Sequence, residues 1–172
     1  METTLIVDGY NALNAWPDLE EIKNESLEHA RDKLTAIISG YGAFSGYNTI
    51  IVYDAHLVNC ATAVEEQIGA TTVVYTGEGQ TADSYIERLA YTMAKQKHRV
   101  FVATSDGDEQ MAILGAGAYR ISVRELYRDI KESNKKQLSQ YAVNHGAYQR
   151  NEIVGRIDGD VFKKLELLRR GR

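Results

Sequence analysis

Short β-branched apolar segments alternate along this chain with longer amphipathic ones, and this alternation restricts the possible folds more than any other feature. Consecutive apolar positions, typical of strands covered on both faces, occur in segments at residues 4–8, 49–54, 71–76 and 99–104. A weaker fifth segment, AYRIS, follows at residues 118–122. Strands that alternate with helices predict a parallel α/β sheet.

Amphipathic patterns between these segments predict the helices. Apolar residues recur at helical spacing over residues 19–41 and 82–93, and glycines at 40, 42 and 46 are expected to close the first of these helices. Another helix is predicted after Ser122, because Ser122 and Glu125 have capping-box spacing. Two further helices are predicted at residues 108–114 and 158–170.

Length and composition are those of one globular domain. A chain of 172 residues buries roughly 70% of the surface that its unfolded form exposes. The N-terminus lacks the basic-then-apolar layout of a signal peptide, and no apolar run has the length of a membrane span. The single cysteine, Cys60, excludes an internal disulfide and argues against a thiolate zinc site. We therefore predict a cytoplasmic protein without a membrane partner, folded as one domain over residues 1–172; the pattern gives no prediction of oligomeric state.

Charge is unevenly distributed along the chain. Residues 120–172 carry 13 Lys and Arg against seven Asp and Glu, a net charge of +6, whereas residues 1–119 carry −10. We expect a basic C-terminal extension from about residue 131. Such a region suits a polyanionic partner, and it is equally typical of a solvated surface.

Aspartates follow the predicted strands at one edge of the sheet. Asp8 and Asp54 end the first and second strands, and Asp83 lies at the start of the helix after the third. Asp106 and Asp108 follow the fourth. Each aspartate alone is typical of a helix cap. Together, unpaired carboxylates repel one another unless a cation neutralises them, so the set indicates a site for Mg²⁺ or Mn²⁺, which serve phosphoryl chemistry.

Polar residues beside these aspartates have two interpretations each. Asn11 can present its amide to a phosphate oxygen or a metal-bound water, or it can cap a helix. Thr104 and Ser105 can donate to a phosphate, or they can simply fold the turn. His56 can contact a phosphate or act as an acid, although a single His in this position is more often a surface residue.

Four motifs carry these residues: LIVDGYN at 5–11, VYDAH at 52–56, TADSYIERL at 81–89 and VATSDGDEQ at 102–110. In that order and spacing they resemble the NYN domain nucleases of the PIN-like superfamily, and within these the YacP-like branch from Gram-positive bacteria. The resemblance covers residues 3–130. It implies a PIN-like three-layer α/β sandwich, with a central parallel sheet of about five strands in the order 3-2-1-4-5 and helices on both faces.

The resemblance also implies a metal-dependent endoribonuclease with Mg²⁺ or Mn²⁺ as its cofactor. Asp8 matches the ligand at the end of the first strand, and Asn11 matches the polar residue that accompanies it. The other matching acids are Asp83 on the mid-domain helix, Asp106 and the second acid Asp108 after the fourth strand, and the more variable Asp54. By this match the catalytic residues are Asp8, Asn11, Asp83 and Asp106, and the metal ligands are Asp8, Asp54, Asp83, Asp106 and Asp108.

The same branch is known for endonucleases that associate with ribosomes and cut mRNA there, so the resemblance implies mRNA and the ribosome as partners. Independently, the basic C-terminal region offers candidate contacts with RNA phosphates. These are Arg120, Arg124, Arg128, Lys131, Lys135 and Lys136. Tyrosines among them, such as Tyr127 and Tyr141, can stack on bases or belong to the core.

Two other functions fit parts of the pattern. A haloacid-dehalogenase-like phosphatase also begins with an aspartate at a strand end, but it normally carries a second Asp two residues later, where this chain has Tyr10. A non-catalytic RNA- or ribosome-binding module would keep the fold without the chemistry. Since the acids expected of the family are all present, the endoribonuclease is the favoured prediction.

Overall fold

The structure, a computed structural model, describes residues 2–54, 62–105 and 117–156, with side chains described as far as residue 143. One sheet contains the strands of these regions, in the spatial order β3-β4-β2-β1-β5-β6. All neighbouring strands are parallel except β3 and β4, which are antiparallel. The strands are β1 (Thr3–Asp8), β2 (Asn48–Tyr53), β3 (Val64–Ile68), β4 (Thr71–Tyr75), β5 (Arg99–Thr104) and β6 (Tyr119–Ser122).

The predicted parallel sheet is confirmed, and one strand had no prediction. Without β3, the five parallel strands follow the expected order 3-2-1-4-5. The additional strand β3 has the sequence VEEQI and is exposed along its whole length. Its two glutamates and exposed faces remove the apolar signal that identifies the other strands, because an edge strand needs little burial. Gly69, at φ +62°, lies in the short turn that joins β3 to β4.

Helices occupy the connections between strands. They are α1 (Gly9–Ala15), α2 (Pro17–Glu25), α3 (Leu27–Ser45), α4 (Ala82–Lys95) and α5 (Val123–Arg156). The single helix predicted for residues 19–41 is wrong, because a break at Ser26 divides this region between α2 and α3. A second break, at Trp16, separates α1 from α2. Trp16 is extended since the following Pro17 disfavours helical backbone, and Ser26 is extended where it caps α3.

Helix ends follow the local signals in the sequence more closely. Gly46, at φ +71°, ends α3 as predicted, whereas Gly40 and Gly42 lie inside that helix. Thr81 caps α4 by accepting the Ser84 N–H. The Ser122–Glu125 capping box at the start of α5 is confirmed, and α5 continues far beyond the predicted segment. The helices predicted at residues 108–114 and 158–170 lie outside the described residues.

The core lies on both faces of the sheet, which gives three layers. On one face, Leu5 and Val7 of β1 pack with the buried residues of α1–α3 and with Leu126 at the start of α5. On the other face, Ile6 packs with Ile86 and its neighbours on α4. These two clusters confirm the sandwich with helices on both sides, since consecutive residues of a strand face opposite layers.

Two compact units make up the chain, residues 1–131 and residues 132–172. The division falls where the sequence predicts the basic extension to begin. In the second unit, the side chains of Lys135, Lys136, Leu138 and Val143 are exposed. Within the described residues, no helix combines the length and apolarity needed to cross a membrane.

Candidate active site

Two aspartates end neighbouring strands at the carboxyl edge of the sheet and share one of its faces. In the parallel register, Asp8 of β1 is opposite Val52 of β2, and Asp54 follows two residues later. From strand spacing and rise, their Cα atoms lie roughly 8 Å apart. Asp8 alternates in step with Ile6, and Asp54 with Val52, so both belong to the face that α4 covers.

Asp8 is the acid that the fold holds most firmly. Only 6% of its surface is exposed, and its Oδ1 accepts the Asn11 N–H at 3.1 Å, which caps α1. The helix-cap interpretation of Asp8 is therefore confirmed. Capping does not conflict with metal binding, because a carboxylate has two oxygens with about four lone-pair positions.

Gly9 is required by the close packing beside Asp8 and not by a left-handed backbone. Its φ is not among the positive values of the described glycines. A Cβ at this position would lie 2.2 Å from Cε1 of Tyr53, so only glycine leaves room for that ring. Tyr53 is fully buried, and burial raises its pKa. The rings of Tyr10 and Tyr75 pack against it at centroid distances of 5.3 and 5.5 Å.

Asp54 and Asp83 lie at the N-terminus of α4. The Ala82 N–H donates to Asp54 Oδ2 at 3.4 Å, so this carboxylate contacts the start of the helix from the neighbouring strand. Asp83 is exposed in the first turn, where a negative charge is favoured by the helix dipole. The structure thus brings Asp54 to the helix that carries Asp83, one strand away from Asp8.

The donor chemistry of this edge suits a hard divalent cation. Among the side chains that the structure describes, within residues 2–54, 62–105 and 117–143, no three His, Cys, Asp or Glu are grouped to hold a metal. Mg²⁺ does not require such a group, because proteins often hold it with one or two carboxylates, waters and the phosphates of a substrate. Carboxylates such as Asp8 and Asp54 fit that mode. The predicted ligands Asp106 and Asp108, like His56, lie outside the described residues.

A polar cleft of about 330 Å³ opens on the opposite side of β1. It lies between α1, the end of β5 and the start of α5. Asn11 connects the cleft to the aspartates, because its backbone N–H binds Asp8 while the residue also lines the cleft. The described lining residues are Asn11, Asn14, Ala15, Ser105, Ser122, Val123 and Arg124.

The predicted RNA-contacting cations have different environments. Arg124 lines the cleft and is exposed. Arg120 donates from Nη2 to the Ser105 carbonyl at 3.2 Å, and so supports the end of β5. Lys131 forms an ion pair with Asp18 and lies 5.1 Å from the Tyr127 ring centroid. The remaining three, Arg128, Lys135 and Lys136, are exposed on α5.

Two residues of this region had no functional prediction. Asn14 lines the cleft, and its Oδ1 accepts a hydrogen bond from Lys23 Nζ at 2.9 Å. Trp16 is buried, and its Nε1–H donates to the Val123 carbonyl at 2.8 Å. The spacing of Asn11 and Asn14 on one helical turn is the sequence signal that could have identified Asn14. Trp16 offers no comparable signal, because its partner is 107 residues away.

A family model and a curated relative match most of the chain. The model of the YacP-like NYN domain matches residues 5–170. The protein YacP of Bacillus subtilis (strain 168) is 41% identical over 132 residues, which are 77% of this chain and 77% of that protein.

Solved structures match over nearly the full length. The crystal structure of Rae1 (YacP) from Bacillus subtilis superposes with a TM-score of 0.71 at 36% identity, covering 98% of this chain and 95% of that one. A mutant of the same protein superposes with a TM-score of 0.68 at 33% identity, covering 94% and 89%. These matches agree with the observed α/β fold.

Proposed function

The chain belongs to the YacP-like NYN domain family, whose domains are of the nuclease type, and from this membership we propose that it is a metal-dependent endoribonuclease. Its proposed substrate is RNA, specifically mRNA on the ribosome, and the reaction is hydrolysis of a phosphodiester bond. The observation that carries the proposal is the buried Asp8 at the carboxyl end of the central strand, with a polar cleft beside it.

The position of Asp8 supports a catalytic role. β1 lies between β2 and β5, so the chain leaves it towards one side of the sheet and later returns on the other. In open α/β sheets, ligands bind outside the carboxyl ends of the strands at such a switch point. Asp8 is held there by its bond to Asn11 and by the packing of Gly9 against Tyr53.

Each proposed residue has one task. Asp8, Asp83 and Asp106 hold Mg²⁺ or Mn²⁺, with Asp54 and Asp108 as further ligands. The metal supplies neutralisation of phosphate charge and lowers the pKa of water. Asn11 donates its amide to a phosphate oxygen and keeps that group beside Asp8. The bond from the Asn11 N–H to Asp8 supports this task, because it fixes the two residues relative to one another.

Cations on α5 are the proposed contacts with ribosomal RNA. Arg128 is an exposed candidate in the first unit, and Lys135 and Lys136 are exposed candidates in the second. Binding that depends on phosphate contacts weakens steeply with salt. We expect the protein to sediment with ribosomes at low salt, and charge reversal of Lys135 and Lys136 to reduce both the binding and its salt dependence.

Substitution of Asp8 tests the proposed chemistry. Asp8→Asn preserves the cap on α1, because Asn is as good a cap as Asp, but it removes the negative charge. We expect cleavage of RNA, supplied free or on ribosomes with Mg²⁺ or Mn²⁺, to fall at least about 100-fold, with an unchanged melting temperature. Asp32→Asn, an exposed residue on α3, is the matched control. Cleavage by Asp8→Asn at the wild-type rate would refute the mechanism.

The alternative functions give different results in the same assays. A non-catalytic binder would sediment with ribosomes but would leave mRNA intact on them, for both the wild type and Asp8→Asn. A haloacid-dehalogenase-like phosphatase is disfavoured by Tyr10, whose ring packs against Tyr53 where that class carries its second Asp. Trapping of a phosphoaspartate at Asp8 would nevertheless establish the phosphatase.

A further inference from the structure

The polar cleft beside Asp8 has the size and lining of a binding site. Its volume of about 330 Å³ falls within the range of small-ligand pockets. Ala15 and Val123 supply apolar surface, and the other described lining residues are polar or cationic. None of the described lining side chains is acidic. This composition differs from that of the neighbouring edge, where Asp8, Asp54 and Asp83 lie.

Hydrogen-bond donors dominate the polar part of the lining. Asn11 and Asn14 carry side-chain amides, Ser105 a hydroxyl and Arg124 a guanidinium. Because the Asn14 oxygen accepts from Lys23, its NH₂ group retains donor capacity towards a ligand. Lys23 also places a second cation next to Asn14. A ligand with several acceptor oxygens and negative charge matches this set.

The start of α5 borders the same cleft. The first N–H groups of a helix have no acceptor inside that helix. In the capping box, Ser122 Oγ accepts the Glu125 N–H at 3.1 Å, and Glu125 Oε2 accepts the Ser122 N–H at 2.7 Å. The Glu125 carboxylate is thereby committed to the box. Val123 and Arg124, which follow the cap, line the cleft.

One buried contact holds the two walls of the cleft together. Trp16 directly follows Ala15 of one wall, and its indole N–H binds the carbonyl of Val123 in the other. The Trp16 ring also packs against Tyr127 with centroids 5.4 Å apart. The two walls are therefore held together before a ligand binds, which lowers the entropy lost on binding.

We propose that this cleft binds the phosphate of a nucleotide next to the scissile bond, so that Asn14, Ser105 and Arg124 fix the register of the RNA strand against Asp8. The assignment to RNA rests on the proposed function. The phosphate chemistry rests on the cleft alone. Arg124 contributes charge and paired donors, and Asn14 and Ser105 contribute neutral hydrogen bonds.

Nucleotide binding without metal tests the assignment independently of catalysis. We would titrate uridine 5′-monophosphate, inorganic phosphate and uridine into the full chain in EDTA and follow backbone amide signals by NMR. Uridine 5′-monophosphate and phosphate should shift the signals of Asn11, Asn14, Ser105 and Arg124, whereas uridine should not. Arg124→Gln should weaken binding of the monophosphate about tenfold. Arg99→Gln, at the opposite end of β5, makes the same charge change and should leave binding unchanged.

Steady-state kinetics of RNA cleavage distinguish a role in positioning the substrate from a role in the chemical step. Arg124→Gln and Asn14→Ala should raise the KM for RNA more than they lower kcat, because the interaction exists in both the bound substrate and the transition state. Shifts confined to other surfaces, equal binding of uridine and its monophosphate, or equal loss in Arg99→Gln would each overturn the assignment of the cleft.

The two proposals fail in distinguishable ways. Monophosphate binding that depends on Arg124, together with mRNA that stays intact on ribosomes, would retain the cleft assignment and refute the ribonuclease. Cleavage that depends on Asp8, together with monophosphate shifts away from the cleft, would retain the ribonuclease and refute the cleft.

Discussion

The carboxyl edge of the sheet has two unlike flanks on either side of β1. On the flank of β2, Asp8 and Asp54 lie at the carboxyl edge on the face that α4 covers, and the packed rings of Tyr10, Tyr53 and Tyr75 belong to the opposite face. On the flank of β5 and β6, the cleft between Asn11 and Arg124 is open and rich in donors. Among the described residues, the first flank carries the carboxylates and the second carries hydrogen-bond donors and cations. We call them the acidic flank and the donor flank.

In the proposed ribonuclease, the two flanks would divide the contacts with a phosphodiester between them. A bound phosphate needs charge neutralisation at the reacting group and donors for the oxygens that do not react. Among the described residues, the candidates for these two requirements lie on opposite sides of β1. Packing maintains the acidic flank, whereas hydrogen bonds between distant parts of the chain maintain the donor flank.

Overpacking beneath Asp8 is expected to have the largest effect on stability. In Gly9→Ala, the new Cβ would overlap the Tyr53 ring, which is fully buried and confined by neighbouring rings. We expect the free energy of unfolding to fall by about 3 kcal/mol, measured by urea denaturation. The acidic flank should lose its geometry, so RNA cleavage should fall with it.

Gly40→Ala is the matched control for this substitution. Gly40 lies inside α3, and a Cβ there would meet nothing within 4 Å. The only expected effect is then the higher helix propensity of alanine, so the free energy of unfolding should rise by up to about 1 kcal/mol. Equal effects of the two substitutions would show that the Tyr53 ring does not restrict position 9.

Removal of the indole hydrogen bond should weaken the donor flank selectively. Trp16→Phe keeps a ring but loses the buried bond to Val123 and part of the packing against Tyr127. We expect a loss of about 2 kcal/mol in the free energy of unfolding, followed by circular dichroism because Trp16 is the only tryptophan. Among the molecules that remain folded, this variant should also bind uridine 5′-monophosphate more weakly than the wild type does. A loss below about 0.5 kcal/mol would mean that the cleft does not depend on this contact.

The two flanks also differ in how much of them the sequence predicts. The aspartates of the acidic flank follow apolar runs, so their common edge is a consequence of parallel strands. The donor flank depends on Trp16 reaching Val123 across 107 residues, which no local pattern encodes. Only its Ser122–Glu125 capping box is local, and that feature was predictable.

The fold shows the same division between local and distant information. β-branched runs identify every buried strand, whereas β3 escapes prediction because its residues are exposed and charged. The break at Ser26 was missed because apolar residues continue through it at nearly helical spacing. Burial thus leaves a sequence signal, while an exposed edge or a change in helix direction leaves little.

The local capping box should make a moderate contribution to the donor flank. Ser122→Ala removes the acceptor for the Glu125 N–H and should lower the free energy of unfolding by about 1 kcal/mol. The Ser122 backbone and side chain hold the pKa of Glu125 below its usual value. Because the pKa of Glu125 is lower in the folded state, its ionised form stabilises the fold at pH values above the unfolded pKa. This stabilisation is lost as the pH falls through the folded pKa. Glu125→Gln should therefore remove part of the acid dependence of thermal unfolding; an unchanged pH profile would contradict the box.

The pair of Asp18 and Lys131 should have the smallest effect, and it decides whether Lys131 belongs to the RNA surface. Their hydrogen bond lowers the pKa of Asp18 and raises that of Lys131, although both side chains are nearly half exposed. The pair therefore stabilises the fold at pH values between the pKa values of the unfolded chain, about 4 for Asp and about 10 for Lys. This stabilisation is lost as the pH falls through the Asp18 pKa of the folded state or rises through the Lys131 pKa of the folded state. Asp18→Asn should cost about 0.5 kcal/mol near neutral pH and less in high salt.

Because Asp18 already neutralises Lys131, Lys131→Gln should weaken RNA binding less than Arg124→Gln does, and the reverse order would place Lys131 on the RNA-binding surface.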